Sequence, residues 1–229
     1  MTVQAVILAA GMGTRLGKPW PKPLTPLSDG RTIMRQQMDN LAAAFADLRV
    51  LTVVGFKLEL ILEAFPDVTY VYNENYDRTN TNRSLLKALR LSADGGVLWM
   101  NGDVVFDPQV LERTKELMAA EQSFICVNTA AVGEEEVKYT VDADGFVDRL
   151  SKTVIDALGE SVGINYVSAT DKARLIERLA ECDDADYFER GIEIMIEKDG
   201  ARVAPFDIRD LFAVEVDFEE DLSRANKHL

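Results

Sequence analysis

The chain has 229 residues, 47% of them hydrophobic, enough to bury the core of one α/β domain, so residues 1–229 are expected to form a single domain. Its 39 acidic residues outnumber 25 basic ones, giving a net charge of −14 that argues against the positive face a nucleic-acid polymer or an anionic membrane surface requires. Cys126 and Cys182 lie far apart without metal-type spacing, and the first apolar run lacks a basic leader and cannot span a bilayer, so we expect a reduced, cytoplasmic protein without membrane insertion.

In chain order, apolar runs predict strands at about 4–9, 49–54, 68–72, 97–101 and 123–128. Helical spacing of apolar residues fills the intervals at about 32–46, 57–65, 82–92 and 108–120. This alternation predicts an α/β fold whose mostly parallel sheet is covered by helices on both faces. Beyond it, KYTVDADGFVDRLS (138–151) reads as a β-hairpin around a DADG turn. A strand in GINYVS, helices near 171–181 and 187–198, short strands in RVAPF and FAVEVD, and a helix opening at Glu219 complete the reading. The hairpin is expected to form a small lobe over the carboxyl edge of the sheet, where open α/β sheets bind ligands.

The first predicted strand runs into a long loop without an acid: no Asp or Glu precedes Asp29, while Arg15, Lys18 and Lys22 are all basic. Gly11, Gly13 and Gly17 allow close approach of backbone N–H groups to a phosphate. It is not a dinucleotide fingerprint, because Leu16 stands at the third glycine position, and prolines 19, 21 and 23 forbid the helix. Nor is it a P-loop, whose first glycine would fall on Met12. A basic Gly/Pro-rich surface connection is the alternative.

Transfer to a phosphate needs a cation, commonly Mg²⁺, held by carboxylates. Asp103 follows a buried strand in VLWMNGDVVF, and Glu215 and Asp217 alternate with Val214 and Val216, so both acids share a face. Each acid alone could equally serve a turn or a helix cap. Asp142 and Asp144 form a D-x-D in the hairpin turn, where it should be exposed and without a metal role. The lone His228 is expected to fray at the terminus, leaving no catalytic histidine.

LAAGMGTRLGKPWPKPL resembles the G-x-G-[TS]-R…P-K signature of nucleotidyltransferases that join a nucleoside triphosphate to a phosphorylated sugar or alcohol and release pyrophosphate. The resemblance implies a Rossmann-like mixed sheet of the nucleotide-diphospho-sugar transferase type. It places Ala9 and Ala10 near the base, Gly11, Gly13 and Thr14 around the triphosphate, and Arg15 and Lys22 on its phosphates. It also implies a Mg²⁺ site at Asp103 and Asp217, with Glu215 completing an E-x-D form.

The segment NENYDRTNTNRSLLKAL (73–89) is similar to the N-N-x-x-S-L stretch of bacterial phosphocholine cytidylyltransferases, which places Asn80, Asn82 and Ser84 near the nucleotide; an ordinary helix cap is the alternative. Arg83 departs from that pattern. GESVGI (159–164) also resembles this branch and brings in Glu160, while Lys152 is a candidate for the acceptor phosphate. Tyr187, Phe188 and Glu189 supply the aromatic and acidic types that bind a quaternary ammonium, although aromatics at a helix start also serve core packing.

The expectation is thus a Mg²⁺-dependent cytidylyltransferase taking CTP and phosphocholine or a similar phosphorylated amino alcohol, with small molecules as its partners. Residues 1–130 would bind nucleotide, 131–212 the acceptor, and 213–229 would carry the metal strand and last helix. A sugar phosphate, inositol phosphate or aminoethylphosphonate acceptor, or a nucleotide-sensing homologue without turnover, are the alternatives.

Overall fold

The computed structural model describes residues 2–130, 132, 133 and 136–229. Its strands are β1 (Val3–Ala9), β2 (Leu48–Val54), β3 (Thr69–Tyr72), β4 (Val97–Asn101), β5 (Val104–Phe106), β6 (Phe124–Asn128), β7 (Lys138–Val141), β8 (Val147–Ser151), β9 (Gly159–Val167), β10 (Ala204–Asp207) and β11 (Ala213–Glu215). Its α-helices are α1 (Ile33–Ala44), α2 (Leu58–Ala64), α3 (Thr81–Leu91), α4 (Gln109–Ala119), α5 (Ala169–Glu181), α6 (Phe188–Asp199) and α7 (Glu219–Asn226).

The main sheet runs β10-β6-β9-β4-β1-β2-β3. Neighbours pair in parallel except β9, which lies antiparallel between β4 and β6. A central strand buried on both faces must be apolar throughout, which is why β1 and β4 read as continuous hydrophobic runs. One face packs α1, α2 and α4 on Ile7, Leu98 and Phe124. The other packs α3, α5 and α6 on Val6, Trp99 and Val167. In α3, Leu85, Leu86 and Leu89 form the inward stripe, each stabilising the fold by about 1.5–3 kcal/mol when fully buried.

Local chemistry fixes the helix starts. The Thr32 hydroxyl accepts from the Arg35 N–H, the Asn80 carboxamide oxygen from the Thr81 N–H, and the Ser168 hydroxyl from the Asp171 N–H. Predicted and observed ends of the early elements differ by at most two residues. β5 was not anticipated: three residues are too short to show a period, and the strand exists only because β11 pairs with it antiparallel. β9 begins at Gly159, four residues before the GINYVS reading, because its first residues pair with β6 and β7 across a bulge.

The hairpin β7–β8 joins the main sheet through β9, with Lys138 opposite Glu160. The exposed Asp142 carboxylate accepts from the Asp144 and Phe146 N–H groups, closing the turn. Both cysteines are free and buried. His228 does not fray; its ring stacks on Phe212 with centroids 3.9 Å apart. Among the described residues no helix is long and apolar enough to cross a membrane.

Candidate active site

The carboxyl ends of β1 and β4 and the amino end of the antiparallel β9 meet at one edge of the sheet. A cavity of about 540 Å³ opens there. Gly11, Gly13, Thr14, Arg15 and Lys22 form one wall, Asp103, Glu215 and Asp217 another, and Glu136, Lys152, Ser161, Tyr187, Phe188 and Glu189 the far end.

The opening loop owes its path to glycine and proline. Gly13 has φ +61°, and a Cβ there would sit 2.8 Å from Lys22 Cγ, so the glycine lets the lysine stem cross the loop. Pro21 and Pro23 set a 3₁₀ turn over Lys22–Leu24 that directs the lysine inward. At β4, a Cβ on Gly102 would lie 2.7 Å from the Leu8 carbonyl oxygen, so only glycine admits the turn that presents Asp103.

The loop's positive charge is matched by acids distant in sequence. Lys22 Nζ donates to Asp103 at 2.9 Å and also to Asp217. Arg15 donates to Asp217 at 2.6 Å, and Lys18 pairs with Glu219 at 2.5 Å. Burial pulls the Lys22 ammonium down, but Asp103 and Asp217 outweigh it and hold it up at about 12. Burial raises the Asp217 carboxyl, yet Lys22 and Arg15 prevail and keep it below its ordinary value. Asp221 holds this corner, accepting from the Asp217 and Phe218 N–H groups at 3.2 and 2.9 Å.

The strand β11 stops at Glu215, but Val214 and Val216 are both buried and Glu215 and Asp217 both line the cavity, as alternation requires. No group of three or more His, Cys, Asp or Glu side chains among the described residues is disposed to hold a metal ion, so Asp103, Glu215 and Asp217 do not form one cage. Asp103 and Asp217 converge on the single Lys22 ammonium, and two carboxylates suit Mg²⁺ that is also bound by substrate phosphates. Glu215 stands apart, accepting from Asn101 Nδ2 at 2.9 Å. Burial, reinforced by the charge of Asp103, raises its carboxyl well above the ordinary value.

At the far end, burial lifts the Glu189 carboxyl to about 7, with Glu136 adding to the rise and Lys152 opposing it. Burial and then the Glu160 charge raise Glu136 as well. Lys152 Nζ lies 4.6 Å from the centre of the Tyr187 ring. Phe188 is fully buried, edge-on to Trp99 at 5.6 Å, so its role as a core residue is prominent.

Several expected site residues stand elsewhere. Ala9 and Ala10 are buried in the core behind the loop rather than in the cavity wall; it is Leu8 that lines it. Asn82 is fully buried and donates to the Asp183 carbonyl at 2.6 Å, and the Ser84 hydroxyl accepts from Asn73 Nδ2 at 3.1 Å. Both tie α3 to its surroundings and neither lines the cavity, whereas Asn80 does so while capping α3. Arg83, which departed from the expected pattern, clamps the α5–α6 connection through Asp184 and the Cys182 carbonyl. Glu160 accepts from the Gly133 N–H at 2.7 Å, so it braces the wall while its neighbour Ser161 lines the cavity.

Sequence reasoning missed Asn101, Glu136 and Ser161. Glu136 was hidden in an acidic run that resembles a solvated face. Asn101 precedes the Gly-Asp turn, and Ser161 lies inside GESVGI, so alternation from Glu160 was the available signal.

The MobA-like NTP transferase domain family matches residues 5–198. The chain is 32% identical over 245 aligned residues to the CMP-5'-(3-aminopropyl)phosphonate synthase of Streptomyces rubellomurinus, covering 98% of this chain and 38% of that protein. It therefore spans less than half the length of these curated relatives, 38% of the Streptomyces protein. The fold is similar to an inositol-1-phosphate CTP transferase from T. maritima, with TM-score 0.77 and 14% identity over 100% of this chain and 98% of that one. It is likewise similar to the CTP:phosphocholine cytidylyltransferase of Streptococcus pneumoniae, with TM-score 0.77 and 17% identity over 100% and 99% of the two chains. With its glycine-rich basic loop at the carboxyl edge of the sheet and a family match over most of its length, this chain belongs to the nucleotidyltransferases of the MobA-like NTP transferase domain family.

Proposed function

We propose that the protein is a cytidylyltransferase that moves CMP from CTP to a small acceptor bearing a phosphate or phosphonate at one end and a cationic nitrogen at the other. The observation that carries this reading is the polarity of the cavity. One end offers Arg15 and Lys22 beside Asp103 and Asp217, with Glu215 on the same wall; the other holds the buried Glu189 and the half-buried Glu136 with Lys152 near them. Buried carboxylates are costly unless a cation meets them, so a cationic acceptor fits where a neutral sugar does not. The aminopropylphosphonate named for the Streptomyces relative and the phosphocholine named for the pneumococcal neighbour share that chemistry.

Gly11, Gly13 and Thr14 wrap the triphosphate with the loop backbone, and Lys22 and Arg15 neutralise its charge. Asp103 and Asp217 are the residues that would hold Mg²⁺, which supplies charge neutralisation for the phosphoryl oxygens when bound. Lys152 orients the anionic end of the acceptor. An acceptor oxygen attacks the α-phosphorus, the bond to the β-phosphate oxygen breaks, and pyrophosphate leaves with the electron pair. That acceptor oxygen is already ionised near neutral pH, so no general base is needed and positioning with electrostatic stabilisation carries the reaction.

The test is pyrophosphate release with Mg²⁺, crossing the common nucleoside triphosphates with cationic phosphates and phosphonates, inositol phosphate and sugar 1-phosphates. Release with CTP and cationic acceptors is expected. Release only with sugar or inositol phosphates, or only with another nucleotide, overturns the reading.

A further inference from the structure

Glu189 and Ser161 are each about 94% buried, with a relative exposure of 6%, and both line the cavity. Among the described residues, neither Glu189 Oε2 nor Ser161 Oγ has a hydrogen-bond partner, and the same holds for Oδ1 of Asn101, another wall residue. Folding conceals unsatisfied polar atoms only rarely, and such exceptions require an explanation. Three of them line one cavity, and all three can accept a hydrogen bond.

We propose, building on the cytidylyl-transfer reading, that Glu189, Ser161 and Asn101 form a specificity pocket for a primary ammonium, which donates one N–H to each, and that the protein discriminates against N-methylated head groups. A primary ammonium has three N–H donors and a trimethylammonium has none, so only the former meets all three acceptors. A trimethylammonium is instead held by the open faces of aromatic rings. Here the Tyr187 face already carries Lys152 Nζ at 4.6 Å, and the Phe188 ring is turned edge-on into Trp99. Asn101 Nδ2 is engaged by Glu215, which fixes the carboxamide so that its oxygen remains the available atom.

The deciding experiment measures kcat/KM for pyrophosphate release from CTP along a series of phosphoethanolamine, its N-monomethyl and N,N-dimethyl forms, and phosphocholine, with 2-aminoethylphosphonate and sugar 1-phosphates alongside. The expected result is a stepwise fall with each methyl group. Ser161→Ala removes a hydroxyl that has no partner among the described residues, so it should leave the melting temperature unchanged. It should raise KM for the primary amine about tenfold, the effect of losing one charge-assisted hydrogen bond, with little change for phosphocholine. Glu189→Gln should raise KM for the primary amine by more, without altering KM for CTP. Equal turnover of phosphocholine and phosphoethanolamine, or a Ser161→Ala variant whose preference along the series is unchanged, overturns the pocket while cytidylyl transfer stands. Release confined to sugar phosphates, or absent for every amine, overturns both.

Discussion

Lys22 donates to Asp103 at 2.9 Å across 81 residues of sequence, and its ammonium also reaches Asp217. One lysine thus fastens the opening loop to the β4–β5 turn and to the end of β11, and it occupies the carboxylate pair suited to a divalent cation. Lys22→Met should therefore expose two carboxylates to each other, at a cost of about 1–3 kcal/mol in stability. Without nucleotide, the variant should bind Mn²⁺ measurably more tightly than the wild type, read by the fall in free-Mn²⁺ electron paramagnetic resonance signal. Its pyrophosphate release should nonetheless drop about 10²–10³-fold, because a positive charge at the reacting phosphates is lost. Unchanged Mn²⁺ affinity would show that Lys22 does not compete for the pair.

Asp103→Asn removes one charge from that pair but leaves Lys22 its contact with Asp217. The fold should persist, with turnover reduced about 10²–10³-fold and the Mg²⁺ concentration for half-maximal rate increased. Circular dichroism and a Mg²⁺ titration of pyrophosphate release check both halves; near-normal turnover at low Mg²⁺ would exclude Asp103 from metal binding.

Glu189 gives a pH signature. Its carboxyl is raised by burial from the ordinary 4.5 to about 7, so between those values the folded chain binds more protons than the unfolded one and stability falls as pH rises. Glu189→Gln should make that decline shallower, the residual slope coming from the similarly raised Glu136 and Glu215. Melting temperatures from pH 4.5 to 8 measure it. In function the sign reverses: ionisation above about 7 favours a cation, so an aminoalkylsulfonate inhibitor, whose anionic end does not titrate, should bind more tightly at pH 8 than at pH 6, and this gain should shrink in Glu189→Gln, the remainder coming from the raised Glu136 and Glu215.

Asn82→Ala separates structure from nucleotide contact. Losing a buried donor to the Asp183 carbonyl should cost about 1–3 kcal/mol, or about 3–10 °C in melting temperature for a chain of this size. KM for CTP, measured below the transition, should be unchanged. A large rise in that KM with normal stability would return Asn82 to the nucleotide site.

Local chemistry made much of the architecture legible. Helical spacing and capping residues such as Thr32, Asn80 and Ser168 are contained in short windows, so the early helices and strands could be read within two residues. β5 and the first half of β9 were not legible, because each is a strand only through a partner far along the chain. The same distinction governs the site. Asn82 and Ser84 match a motif by residue type, but their hydrogen bonds go to a distant loop and to Asn73, which spacing does not encode.

The sequence by itself determined a basic glycine-rich loop after an apolar strand, acids at strand ends and the alternation of an α/β sheet, since steric freedom, charge and period are properties of neighbouring residues. Only the tertiary structure decided that the loop's cations meet Asp103, Asp217 and Glu219, because those acids are brought to it by strands β4 and β11 and helix α7. It also decided which polar atoms are buried without a partner among the described residues: whether Ser161, Asn101 or Glu189 faces a neighbour or a cavity depends on how β9, β4 and α6 pack.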